Sequence, residues 1–278
     1  MSRIQNILNK AERDGTVRRM HTVPDPVGAP GISTVAGTAT VSAPTPKMAE
    51  IGASAASAVP AAVPARALSA QLDSLLVVAL AAGSTVAEQY RALRTRIAHA
   101  DTGGPVNLLL ITSPGRGEGK TLTAANLALT MAQEDQQRVC VIDADLRNPR
   151  LHRLFGLPET PGLADVLAGR ALLEEALVTV ENHHVTVLPA GNAGAHPAEL
   201  LGSMAMRRML DTLRLQFDRV AIDAPAATPL ADVGILTPLV DSVLLVVRAG
   251  VTSKPAIQEA VHALDHTKLL GLVLNEAA

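Results

Sequence analysis

Beyond about residue 73 the chain alternates between short, continuous apolar runs and segments whose apolar positions recur every three to four residues. Continuous runs bounded by polar residues mark strands buried on both faces, as in a parallel sheet covered by helices. The runs predict strands over 106–112 (VNLLLIT), 138–143 (RVCVID), 185–189 (VTVLP), 219–223 (RVAID), 242–247 (SVLLVV) and 269–274 (LLGLVL). Helical spacing predicts helices over 84–97, 120–133, 198–216 and 254–265, the last capped by Ser253 with Pro255 in its first turn. The expected fold class is α/β, a doubly wound, mostly parallel sheet with helices on both faces.

Ahead of that body the pattern changes twice. Ile4, Ile7, Leu8 and Ala11 share one helical stripe, and Ser2 with Gln5 makes a capping box, so residues 1–20 are expected to hold a short amphipathic helix at 3–13. Residues 21–72 are dominated by Ala, Pro, Ser, Thr, Gly and Val with no sustained period, which reads as a flexible linker. The folded domain is then expected to span 73–278.

Composition narrows the function classes. With 48% hydrophobic residues the chain can bury one sizeable core, and a net charge of −2 gives no general attraction to nucleic acid or anionic lipid. No nucleic-acid partner is expected. The single cysteine, Cys140, lies inside an apolar strand, so no disulfide can form within the chain. The amino end lacks an apolar signal core, and LLVVALAA at 75–82 falls short of the roughly 20 residues a membrane helix needs. A soluble, cytoplasmic protein is expected.

Three segments carry chemistry. SPGRGEGKTL, at 113–122, lies between a predicted strand and a predicted helix and departs from G-x-x-x-x-G-K-S/T only at Pro114, the loop entrance. Gly115, Gly117 and Gly119 leave the backbone of this Walker A loop free to turn its N–H groups inward, and Glu118 and Leu122 complete the cradle. Lys120 can reach terminal phosphates and the Thr121 hydroxyl can ligate Mg²⁺. VCVIDADLR then places Asp143 and Asp145 at a strand's carboxyl end, followed by Arg147, and RVAIDAP ends another strand with Asp223. In open parallel sheets ligands gather outside that edge.

Together these segments resemble the bacterial tyrosine kinase family, P-loop autokinases of capsule and exopolysaccharide synthesis. The family carries a Walker A, a Walker A′ of three apolar residues and D-x-D-x-R, and a Walker B of three apolar residues and D-x-P; this chain matches the last two almost letter for letter. EQYRALRTRI, LRNPRLHRLFGL, GLADVLAG, HPAELL and LLVVRAG extend the resemblance over roughly 73–275. It implies ATP and Mg²⁺ as cofactors, with Lys120 and Thr121 on the phosphates and metal, Asp145 and Asp223 completing the metal shell, and Asp143 as the base for an acceptor hydroxyl. It also implies that Asn275 faces adenine, although a strand-terminal turn asparagine is an equal reading of that residue. Glu88, Arg91 and Arg94, an E-x-x-R-x-x-R pattern, would join subunits into a homo-oligomer; solvated pairs along one helix are the alternative. A membrane polysaccharide copolymerase, or chain-length regulator, is the implied activator.

The pattern departs from the family in one respect. Tyr90 is the only tyrosine of the sequence, placed on an apolar helical stripe, so phosphorylation of a tyrosine-rich tail after LNEAA is not expected. A tyrosine kinase acting on another protein, an ATPase switch or scaffold without kinase activity, and a partitioning-type (septum-site-like) ATPase all remain compatible with the motifs. Against the last, such ATPases place a second lysine early in the loop, where this chain has Gly115.

Overall fold

The computed structural model describes residues 66–68, 71–100, 102, 104–134, 137–228, 231–265 and 267–276, all within one compact unit, Pro60–Ala278. The helix expected at 3–13 lies outside the described residues, as does most of the expected linker.

The eight strands are β1 (Arg66–Leu68), β2 (Leu108–Thr112), β3 (Val139–Asp143), β4 (Val178–Val180), β5 (Val185–Leu188), β6 (Arg219–Asp223), β7 (Ser242–Arg248) and β8 (Leu269–Asn275). They form one sheet in the order β1-β4-β5-β3-β6-β2-β7-β8. From β5 to β8 across the sheet every pairing is parallel, whereas β4 runs antiparallel to β5 and carries β1 parallel to itself at the edge. All six strands read from apolar runs are present.

The helices are α1 (Val77–Leu80), α2 (Thr85–Ala98), α3 (Lys120–Ala132), α4 (Leu151–Leu154), α5 (Leu163–Leu167), α6 (Leu173–Ala176), α7 (Pro197–Leu201), α8 (Met204–Gln216), α9 (Asp232–Leu236) and α10 (Lys254–Ala263). Alternate strand residues point to opposite faces, and both sets are buried. Leu109, Ile111, Val139, Val141, Ala221 and Leu244 join a core with α1 to α4. Leu108, Leu110, Cys140, Ile142, Val220 and Ile222 are equally buried on the other face, which α8 helps to cover with Met206, Met209, Leu210 and Leu213. Helix α3 is buried along nearly its whole length, consistent with its small-residue, apolar sequence TAANLALTMA.

Two differences from the sequence reading have local causes. The helix expected over 198–216 is two helices, because Gly202 ends α7 and the Ser203 hydroxyl accepts from Met206 N to cap α8. Strands β1 and β4 span three residues each, too few for a period to register, and β1 lies within the span read as linker. The expected cap is present at Ser253, which accepts from Ala256 N, and Ser84 caps α2 in the same way by accepting from Ala87 N.

Candidate active site

The sheet order brings the three chemical segments together. Strand β6 lies between β2 and β3, and in register Asp223 sits beside Ile111 on one side and Asp143 on the other. The loop leaving β2 therefore starts next to both aspartates.

That loop is fastened at its entrance from the segment after β6. Ala227 N donates to Ser113 O at 2.8 Å, and the Thr228 hydroxyl donates to Pro114 O at 2.9 Å. Pro114 is accommodated because only its carbonyl is used. Gly117 and Gly119 adopt φ of 78° and 92°, the left-handed region, and Gly119 caps α3. The buried Glu118 carboxylate folds back inside the loop to accept from Gly115 N at 2.9 Å. Burial raises its pKa, tempered by Thr252 and by the N–H groups of Gly115 and Arg248. Leu122 is half-buried against the core, and Arg116 is exposed on the loop. A cleft of about 330 Å³ opens between Pro114–Glu118, Thr228 and the Arg248–Ala256 segment.

Lys120, the first residue of α3, is nearly buried and turns to the carboxylates. Its Nζ lies 2.7 Å from Asp145 Oδ2, 3.8 Å from Asp223 Oδ1 and 3.4 Å from the Thr121 hydroxyl. Burial alone would depress the Lys120 ammonium, but Asp223 and Asp145 outweigh it and hold the pKa above the usual lysine value.

Asp223 is fully buried, and neither carboxylate oxygen has a hydrogen-bond partner. Burial lifts its pKa to about 6 despite the attraction of Lys120 and the nearby Thr121 hydroxyl, with Asp145 adding repulsion. An unsatisfied buried carboxylate is costly unless something pairs with it. Here the oxygens face the Lys120 ammonium, and the Asp223 and Asp145 carboxylates with the Thr121 hydroxyl form a hard-oxygen donor set of the kind that suits a magnesium ion shared with phosphate oxygens.

Asp143 has a structural task that its sequence position did not reveal. Its Oδ2 accepts from Arg150 N at 3.0 Å and Leu151 N at 2.9 Å, fixing the start of α4, and its Oδ1 accepts from Asp145 N at 3.2 Å. Burial and then the adjoining Asp223 push its pKa up to about 8, against those backbone N–H groups. Arg147 makes a two-pronged ion pair with the buried Asp232 of α9, at 2.7 and 3.2 Å. Asp232 had no signal in the sequence, because nothing local announces an arginine partner 85 residues away.

The remaining candidates fall elsewhere. Asn275, ending β8, donates from Nδ2 to Glu118 O at 3.0 Å, so it touches the loop itself. On α2, Arg91 pairs with Glu88 of its own helix, while Arg94 donates to Thr130 O at 2.7 Å and pairs with Glu134 at 2.9 Å. Arg94 is thus engaged within its own chain. Cys140 is buried, which pushes its thiol pKa up.

The AAA domain family model matches residues 110–270, which hold the loop and all three aspartates. Tyrosine-protein kinase YwqD of Bacillus subtilis is 39% identical over 190 residues, covering 68% of this chain and 80% of YwqD. The chain belongs to the bacterial tyrosine kinase family. Among solved structures of the family, the kinase domain of the Escherichia coli tyrosine kinase ETK aligns with a TM-score of 0.68 and 30% identity, covering 72% of this chain and 79% of that one. The succinoglycan biosynthesis transport protein ExoP of Rhizobium meliloti is 32% identical over 198 residues, 69% of this chain but 25% of ExoP. The kinase-family region therefore corresponds to about a quarter of that longer relative.

Proposed function

We propose that this bacterial tyrosine kinase family member binds Mg-ATP at the β2–α3 loop and transfers the γ-phosphate to a tyrosine of another protein, in control of capsule or exopolysaccharide synthesis. The observation that carries the reading is the buried Asp223 carboxylate, without a hydrogen-bond partner and ion-paired with Lys120 at 3.8 Å, beside Thr121 at the glycine-rich loop. Thr121, Asp145 and Asp223 would hold magnesium, which neutralises charge on the β- and γ-phosphates when bound with the nucleotide. Gly115, Gly117, Glu118, Gly119 and Leu122 supply the backbone of the phosphate cradle, and α3 points its positive end at it.

Lys120, now paired with Asp145 at 2.7 Å, would hold the phosphates, and Asp145 would then be available to the metal. Asp143 takes the proton of the acceptor hydroxyl. A pKa near 8 suits a base working close to neutrality, and access requires Arg150 and Leu151 to release one of its oxygens. The name of ExoP places one relative in polysaccharide transport, which supports a membrane copolymerase as activating partner. No helix among the described residues is long and apolar enough to cross a membrane, in keeping with a cytoplasmic body that meets the membrane through that partner. Self-association through the exposed Glu88 and half-buried Arg91 of α2 completes the proposal, with Arg94 bracing α2 on α3.

Incubation of the full chain with radiolabelled ATP, a copolymerase fragment and a tyrosine-bearing protein tests the reading. Label on tyrosine, lost in Asp143→Asn, is expected. Phosphate release without phosphotyrosine would assign the site to an ATPase switch.

A further inference from the structure

Asn275 sits where two lines of structure meet. Its backbone is anchored to β7: the β7–β8 register sets it opposite Arg248, its carbonyl accepts from Ala249 N at 2.9 Å, and the next residue, Glu276, pairs with Arg248 at 2.7 Å. From that fixed point its amide reaches over the phosphate loop and donates to Glu118 O at 3.0 Å. The approach is so close that a Cβ on Gly119 would lie 2.1 Å from Asn275 Nδ2. Glycine at 119 is required by its φ of 92°, and any side chain there would push the Asn275 amide away.

The geometry of a trans peptide gives this contact a consequence. The carbonyl of Glu118 and the N–H of Gly119 belong to one planar unit and point in opposite directions. Holding the Glu118 carbonyl toward Asn275 therefore turns the Gly119 N–H to the other side, away from the strand end. That N–H is one of the donors a phosphate loop offers to anions. The inner side of the same loop is tied by Glu118 Oε1 to Gly115 N, so residues 115–119 are clamped from within and from without.

We infer that Asn275 is a positioning residue for the phosphate loop: by fixing the Glu118–Gly119 peptide it aims a backbone donor at the phosphates, so its loss is felt by the phosphate groups themselves whatever base they carry. This rests on the proposal that the loop binds Mg-ATP, and it differs from a role in reading adenine. A strap acts on every polyphosphate alike, whereas a base reader acts on the nucleobase alone.

Calorimetric titration of the full chain with ATP, GTP and inorganic tripolyphosphate, each with magnesium, separates the two. The loss of one hydrogen bond predicts that Asn275→Ala and Asn275→Leu, which keeps the size but not the donor, weaken all three ligands by a common factor of roughly 3 to 10. Faster amide exchange over residues 113–121 in both variants, at an unchanged melting temperature, is the accompanying expectation. If the alanine variant does not fold, Asn275→Ser carries the same comparison. Full tripolyphosphate affinity in the variants, with ATP alone weakened, would overturn the strap and leave nucleotide binding intact. A wild-type chain that binds none of the three would overturn the nucleotide reading, and the strap with it.

Discussion

Replacing Asp223 with asparagine probes the electrostatic core of the site. Burial lifts the Asp223 pKa from 3.8 to about 6 in the folded chain. Between those values the folded state holds a proton that the unfolded state has released, so stability falls as pH rises through the window and the full cost is present above about 6. The displacement corresponds to about 3 kcal/mol. Asparagine carries no charge at any pH in this range, but its amide leaves two N–H donors in the same buried pocket, a pH-independent cost of about 1–3 kcal/mol. The difference in stability between Asp223→Asn and wild type should therefore swing in favour of the variant by about 3 kcal/mol between pH 4 and pH 7. Urea denaturation followed by circular dichroism at several pH values measures it, without magnesium or nucleotide. Stability curves that run parallel with pH would refute the assignment of Asp223 as a buried carboxylate without a hydrogen-bond partner. With Mg-ATP present the order should reverse, wild type being stabilised and the variant much less so.

Lys120→Met removes the cation from between two buried carboxylates, so it should cost about 3 kcal/mol in urea denaturation besides abolishing ATP binding in calorimetry. Arg94→Ala should lower stability by about 1 kcal/mol through its lost bonds to α3, read as a drop in the thermal midpoint. Arg91→Ala, which gives up the pair with Glu88 and a bond to the Ala82 carbonyl, should lower that midpoint less than Arg94→Ala does while weakening self-association. Sedimentation of the Arg91→Ala, Arg94→Ala double variant should show monomers, and unchanged assembly would remove α2 from the subunit contact.

Much of the site was legible because its chemistry is local in sequence. Gly117, Gly119, Lys120 and Thr121 lie within five consecutive residues whose spacing is dictated by a strand-to-helix turn around phosphate. Strands β2, β3 and β6 were visible as unbroken apolar runs because both faces of each are buried. What stayed hidden depends on partners distant in the chain. Asp143 reads as one more acidic strand end until the backbone of Arg150 and Leu151 closes on it. Asp232 is an unremarked acid until Arg147 arrives. Asn275 fits a reader of adenine or a turn residue, and only the placement of β8 shows its amide resting on Glu118.

The sequence by itself determined the fold class, six strands and a glycine-rich loop between β2 and α3, since each is written in local periodicity or in a motif a few residues long. Only the tertiary structure decided that β6 inserts between β2 and β3, setting Asp223 beside Asp143 and within reach of Lys120. Strand order follows from packing and crossover, which no local pattern encodes, and the pKa values follow from the burial and the neighbours that this order creates.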